Sequence, residues 1–129
     1  MKTFKQFNES LRHKLTPKSK EEMEDTISLI VKDVSPEKKP GAKFFCGCEN
    51  GLLWLVEESL AEGADINAEF GYMLVIAAHS GSVEVVDYLL QNGISDRYLD
   101  DAIDVAAVSD MIDVVRFLKE YRRKKNEQN

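Results

Sequence analysis

Cys46-Gly47-Cys48 and the histidines His13 and His79 are the groups in this chain suited by type to hold a soft metal ion or to carry redox or acid–base chemistry. A structural zinc site takes four nitrogen or sulfur ligands, and these four residues are the whole supply of cysteine and histidine. On a helix, positions 46 and 48 point in very different directions. That also gives poor geometry for a disulfide between them, and two free thiols suit a reducing compartment. His79 has no serine, cysteine or carboxylate arrangement that would fix it as a base, and no set of nucleophile, base and orienting group is visible. Asp96, Asp100, Asp101 and Asp104 lack the ligand spacing of an EF-hand; Asp101 reads as the N-cap of a helix. Arg122-Arg123-Lys124-Lys125 has the composition of a nucleic-acid or localisation patch. With only Tyr121 as an interleaved aromatic, it reads as a solvated helix end. No catalytic residue, metal ligand or cofactor is expected, and the chain is not read as an enzyme.

The elements that carry these residues follow from composition and repetition. At 129 residues with 43% hydrophobic side chains, the chain fits one domain with a packed core. No apolar run reaches the length of a membrane span, and none follows a basic start in the manner of a secretory signal. The expectation is a soluble, cytoplasmic protein. The net charge of −6 is unevenly spread: residues 1–20 carry +5, residues 21–115 carry −15 and residues 116–125 carry +5. Such an acidic body repels nucleic acid and can attract a basic partner surface.

Three segments align: FFCGCENGLLWLVEESLAEGADIN from Phe44, LVIAAHSGSVEVVDYLLQNGIS from Leu74 and IDVAAVSDMIDVVRFLKEYRRK from Ile103. Gly51, Gly81 and Asp110 hold the same place, at spacings of 30 and 29 residues. Two adjacent small columns, Gly47/Ala77/Ala106 and Cys48/Ala78/Ala107, let neighbouring helices approach closely. Cys46 aligns with Ile76 and Val105, and Cys48 with Ala78 and Ala107, so both cysteines read as core positions, where cysteine acts as a small hydrophobe. After the turn, Leu53/Val83/Ile112, Leu55/Val85/Val114, Val56/Val86/Val115 and Ser59/Leu89/Leu118 trace one helix face. Gly63 and Gly93 close the second helix, where a left-handed residue is wanted. Each unit reads as helix, turn, helix, and stacking of neighbours makes the core. Lys119 and Arg122 interrupt the third unit and should end the stack. Trp54 stands where the other units have Glu84 and Asp113, so it is either covered or a partner contact.

Residues 1–18 form a basic segment with Phe4, Phe7, Leu11 and Leu15 at helical spacing. Thr16-Pro17 breaks it. Ser19-Lys20-Glu21-Glu22 then reads as a capping box, opening a helix over 19–34 with the apolar stripe Met23, Ile27, Ile30, Val31 and Val34. Solenoids need end caps, so this helix is expected to cover the first unit and Trp54. Residues 35–41 read as a linker.

GSVEVVDYLLQNG, preceded by LVIAAHS, resembles the helix-turn-helix core of the ankyrin repeat, and ENGLLWLVEESLAEGADIN repeats it. The resemblance covers about residues 42–125, as units of about 42–70, 71–98 and 99–125, with 126–129 as a tail. The common unit has about 33 residues; the shortfall here comes after Asn67, at the family's hairpin finger, and the usual Thr-Pro pair is absent. Shortened repeats of this kind look similar to those of viral and phage ankyrin proteins, and the opening MKTFKQFNESLRHKLTPKSKEE resembles leaders of large tailed-phage proteins.

The resemblance implies an all-α ankyrin-type solenoid with an N-terminal capping helix, working as a monomeric protein–protein interaction module. It would act in the host cytoplasm if the source is viral. A virion or assembly component is the alternative, and an enzyme with an unrecognised site is the remoter one. The implied partner is another protein, with no small-molecule substrate, nucleic acid or membrane. The implied contact positions are Glu49, Asn50, His79, Ser80, Val108 and Ser109 on the first helices, with Phe70, Tyr72 and Tyr98 as aromatic anchors in or beside the loops.

Overall fold

A computed structural model of the chain describes residues 20–128. The described residues form seven α-helices and no strand: α1 Lys20–Val31, α2 Lys39–Asn50, α3 Leu53–Ala61, α4 Met73–Ser80, α5 Val83–Gln91, α6 Leu99–Val108 and α7 Ile112–Glu127. Three helical hairpins, α2–α3, α4–α5 and α6–α7, stack in one direction. Their first helices make the main inter-repeat contacts, α4 lying against both α2 and α6. The second helices α3, α5 and α7 meet more sparsely behind them. The segment over residues 1–18 and the capping-box residue Ser19 lie outside the described residues.

The small columns work as their spacing requires. Gly47, Ala77 and Ala106 are buried. A β-carbon on Gly47 would stand 2.9 Å from Val56 Cγ2 and 3.0 Å from Val56 N, so α2 and α3 meet closely there. Cys48 and Ala78 are fully buried, whereas Ala107, the same column in the last unit, is exposed. That column is covered where a further described repeat follows, as after the first and second units. Behind it, Leu55, Val85 and Val114 are wholly buried, as are Ser59, Leu89 and Leu118. The Ser59 hydroxyl donates to the Val56 carbonyl at 2.9 Å, which lets a polar side chain sit in an apolar column.

Each hairpin turns through a left-handed residue: Gly51 (φ 66°), Gly81 (φ 81°) and Asp110 (φ 58°). Glycine adopts this region without penalty, and aspartate is among the few other residues that visit it. The Ser82 hydroxyl caps α5 by accepting from the Val85 amide at 3.2 Å. Asp101 does not cap α6. That helix begins at Leu99 after Tyr98, and Asp100 and Asp101 occupy its first turn. Both carboxylates there complement the positive helix end.

The N-terminal helix is shorter than its pattern predicts and ends at Val31. Met23, Ile27 and Val31 are buried, Val34 is half-buried, and Ile30 is 62% exposed. The buried row runs at steps of four residues. Ile30, three residues beyond Ile27, falls on the other flank and faces outward beside exposed Leu29. The expected linker is also structured: Pro36–Lys38 is a 3-10 turn, and Pro40 and Gly41 lie in the first turn of α2. Proline is tolerated there because a first-turn amide has no partner within the helix.

Candidate functional site

The parallel first helices α2, α4 and α6 carry a shallow groove of about 300 Å³ lined by Phe45, Glu49, Tyr72, Val75, Ile76, His79 and Val105. Its floor is apolar because Ile76 and Val105 share one column while Phe45 and Val75 share the next. Glu49 and His79 form one edge, in the last turns of α2 and α4. Among the residues expected to make contacts, Glu49, Tyr72 and His79 are brought together here. Phe45, Val75, Ile76 and Val105 complete the surface and were not among them. One signal could have found them: they lie three or four residues before Glu49, His79 and Val108, on the same helix face.

The remaining expected positions divide. Val108 is 87% exposed at the end of α6, followed by half-buried Ser109. Asn50 is half-buried, and its amide donates to the Cys46 carbonyl at 2.9 Å. Ser80 is a correction: it is fully buried. Its hydroxyl donates to the Ala77 carbonyl at 2.6 Å and accepts from the Ser82 amide at 3.3 Å. One residue on from His79, the helix has rotated by about 100° and turned this side chain inward.

Phe70, Tyr72 and Tyr98 form a second cluster at the inter-repeat loops. Tyr72 and Tyr98 pack edge to face with centroids 5.2 Å apart. The Arg97 guanidinium lies 5.1 Å from the Phe70 ring centre and 5.5 Å from that of Tyr98. Cation–π attraction of this kind ties the exposed loop to the third hairpin. Phe70 is 68% exposed and stands at φ 61°, between Glu69 at 54° and Gly71 at 89°. Two consecutive non-glycine residues in the left-handed region store strain that neighbouring contacts must hold. Asn67 does much of the holding: its side-chain amide donates to the Gly93 carbonyl at 3.2 Å, and its carbonyl accepts from the Ser95 amide at 2.7 Å.

Trp54 belongs to a separate groove of about 400 Å³ between α1, α2 and α3. Ile27, Val31 and Leu55 line it with Trp54, and Glu24, Lys39, Lys43, Glu58 and Glu62 surround them. Trp54 is half-buried, unlike exposed Glu84 and Asp113 in the same column. Lys43 Nζ lies 2.8 Å from Glu62 and 3.8 Å from Glu58, so opposite charges meet across this groove.

The thiols are held in their neutral form. Burial pushes Cys48 up to about 12. Burial also raises Cys46 and the Glu49 charge adds to it, against the lowering effect of the Asn50 amide. Among the described residues no three His, Cys, Asp or Glu side chains converge as metal ligands. None of the described helices is long and apolar enough to cross a membrane.

Residues 44–129 match a family model described as ankyrin repeats in three copies. No curated protein and no solved structure matches the chain.

Proposed function

Since the chain belongs to the ankyrin-repeat family, whose repeats are generally protein–protein interaction modules and typically non-enzymatic, we propose that it binds another protein through the groove on α2, α4 and α6. The observation that carries this reading is the apolar strip of Phe45, Tyr72, Ile76 and Val105 on the inner helices, with Phe45 and Tyr72 exposed. Exposed apolar surface of this kind marks interaction sites, and aromatic residues dominate binding energy at such surfaces. Glu49, Asn50, His79, Val108 and Ser109 would frame the contact. Phe70 and Tyr98 would extend it toward the loops.

The test is capture from the native host followed by mass spectrometry, run with the parent chain and with Tyr72→Ala and Ile76→Ser. A recurrent protein bound by the parent, bound at least fivefold more weakly by both variants, and bound equally by Glu84→Gln on the second helix α5 supports the groove. Equal binding by all four chains would remove it. The short repeats and the basic leader motivate a viral or phage setting with a monomer acting in host cytoplasm. Capture of virion structural proteins would favour an assembly role within that setting.

A further inference from the structure

The distribution of charge around the groove says what kind of segment it takes. Its lining residues fall in four columns of the repeat: Ala42/Tyr72/Asp101, Phe45/Val75/Asp104, Cys46/Ile76/Val105 and Glu49/His79/Val108. No lysine or arginine occupies any of these positions. Asp101 and Asp104 hold on α6 the places that the groove-lining Tyr72 and Val75 hold on α4, and both are exposed. Neither they nor Glu49 have an ion-pair partner among the described residues, whereas nearby Asp100 is paired with Arg122 at 2.8 Å and Asp96 with Lys125. The Arg97 charge at the loop end faces the rings of Phe70 and Tyr98. In the groove beside α1, by contrast, Lys43 is matched to Glu58 and Glu62. An apolar floor bordered by carboxylates that pair with no described lysine or arginine is complementary to apolar side chains flanked by cations. It disfavours an acidic segment through like-charge approach and desolvation.

We infer that the groove takes a cationic amphipathic segment of a partner protein, its apolar residues on Phe45, Ile76 and Val105 and its lysines or arginines reaching Glu49, Asp101 and Asp104. This rests on the reading that the groove is the binding face. The probes are two synthetic amphipathic 18-residue peptides with the same leucine and phenylalanine stripe. One has a lysine-rich polar face and the other a glutamate-rich one. Each is labelled and titrated with the full chain by fluorescence anisotropy at low and moderate salt. The lysine peptide should bind at least tenfold more tightly, with an advantage that shrinks as salt rises.

The triple variant Glu49→Gln, Asp101→Asn, Asp104→Asn should cut that ratio below about threefold. Glu57→Gln, Glu84→Gln, Asp113→Asn, an equal change of charge on the outer helices, should leave it intact. Equal binding of the two peptides, or a preference lost equally in both triple variants, overturns the inference, the second by reducing it to net charge. If Ile76→Ser leaves lysine-peptide binding unchanged, the groove itself is the wrong face. If that substitution weakens binding while the peptides are not distinguished, only the partner's chemistry is wrong. Substituting Phe4, Phe7 and Leu11 by serine should not alter affinity. A tenfold rise would identify the chain's own basic leader as the occupant and overturn the partner assignment.

Discussion

The two ends of the stack are finished by different physical means. At the N-terminal end an extra element, α1, lays Met23, Ile27 and Val31 on the first hairpin, and an apolar face is covered. The last unit itself changes character: Lys119 stands where Leu60 and Leu90 stand, Ala107 is left open, and α7 runs on to Glu127. Its basic last turns reach back to the start of the same hairpin, Arg122 to Asp100 in the first turn of α6 and Lys125 to Asp96 in the loop before it. One end is therefore closed by hydrophobic burial, which salt does not weaken, and the other by polarity and exposed ion pairs, which salt screens.

The strongest way to break this contrast is Ile27→Asp, which puts a carboxylate into the buried row of α1. A cost of about 3–4 kcal/mol is expected, the scale of an unpaired buried charge. Trp54 emission should shift to the red, because Trp54 lines the same groove as Ile27. A denaturation midpoint and emission maximum that stay in place would mean α1 is not a cap. At the other end Lys119→Leu should move stability by less than about 0.5 kcal/mol and show itself as self-association in sedimentation.

A second pair sharpens the contrast within one column. Ala78→Leu overpacks a buried junction and should cost about 1–3 kcal/mol. Ala107→Leu, exposed at the end of the same column, should cost less than about 0.5 kcal/mol. Equal effects in urea denaturation would remove the register of the repeats.

A smaller effect is expected at the hairpin turns. Asp110→Gly should stabilise the last hairpin by about 0.5–1 kcal/mol, by relieving a left-handed residue that carries a side chain. Gly81→Ala should do the reverse by a similar or larger amount, since its added β-carbon would also meet the Met111 side chain. A lower melting temperature for Asp110→Gly would contradict this.

Smallest of all, Arg122→Ala and Lys125→Ala should each cost below about 1 kcal/mol, and the loss should vanish in 0.5 M salt. A salt-independent loss would mean that these side chains act by packing.

The phase of the repeat was legible because its constraints are local. Residues of one type recur where two helices touch or where the backbone turns left-handed. Asp110 could be placed beside Gly51 and Gly81 by spacing alone, and it shares their conformation. The groove was legible only along one edge. Glu49 and His79 stand out as polar residues in an apolar helix, but Phe45, Ile76 and Val105 look the same in sequence whether they face a core or a cleft. Ser80 misled for a related reason: its hydroxyl is satisfied by its own helix, so a polar residue could be buried without a visible partner. The ties between Asn67 and Gly93, Arg122 and Asp100, or Lys43 and Glu62 depend on how separate loops and helices are set against one another, and no spacing rule announces them.

The Asn67 side chain has a bearing on how this chain could change over time. Its two hydrogen bonds hold one inter-repeat loop against the backbone of the next, and the Asn67 backbone N–H donates to the Asp65 carboxylate at 2.9 Å. Between Asn67 and the start of α4 the backbone runs through three successive left-handed residues, Glu69, Phe70 and Gly71. Lengthening this loop toward the family's usual finger would require those bonds to be given up first. Around Gly63, where an added β-carbon meets nothing within 4 Å, extra residues could enter at less loss than beside Gly93, whose carbonyl holds Asn67. Growth by insertion is thus steered away from the rim beside the groove and toward the far end of the first unit's second helix.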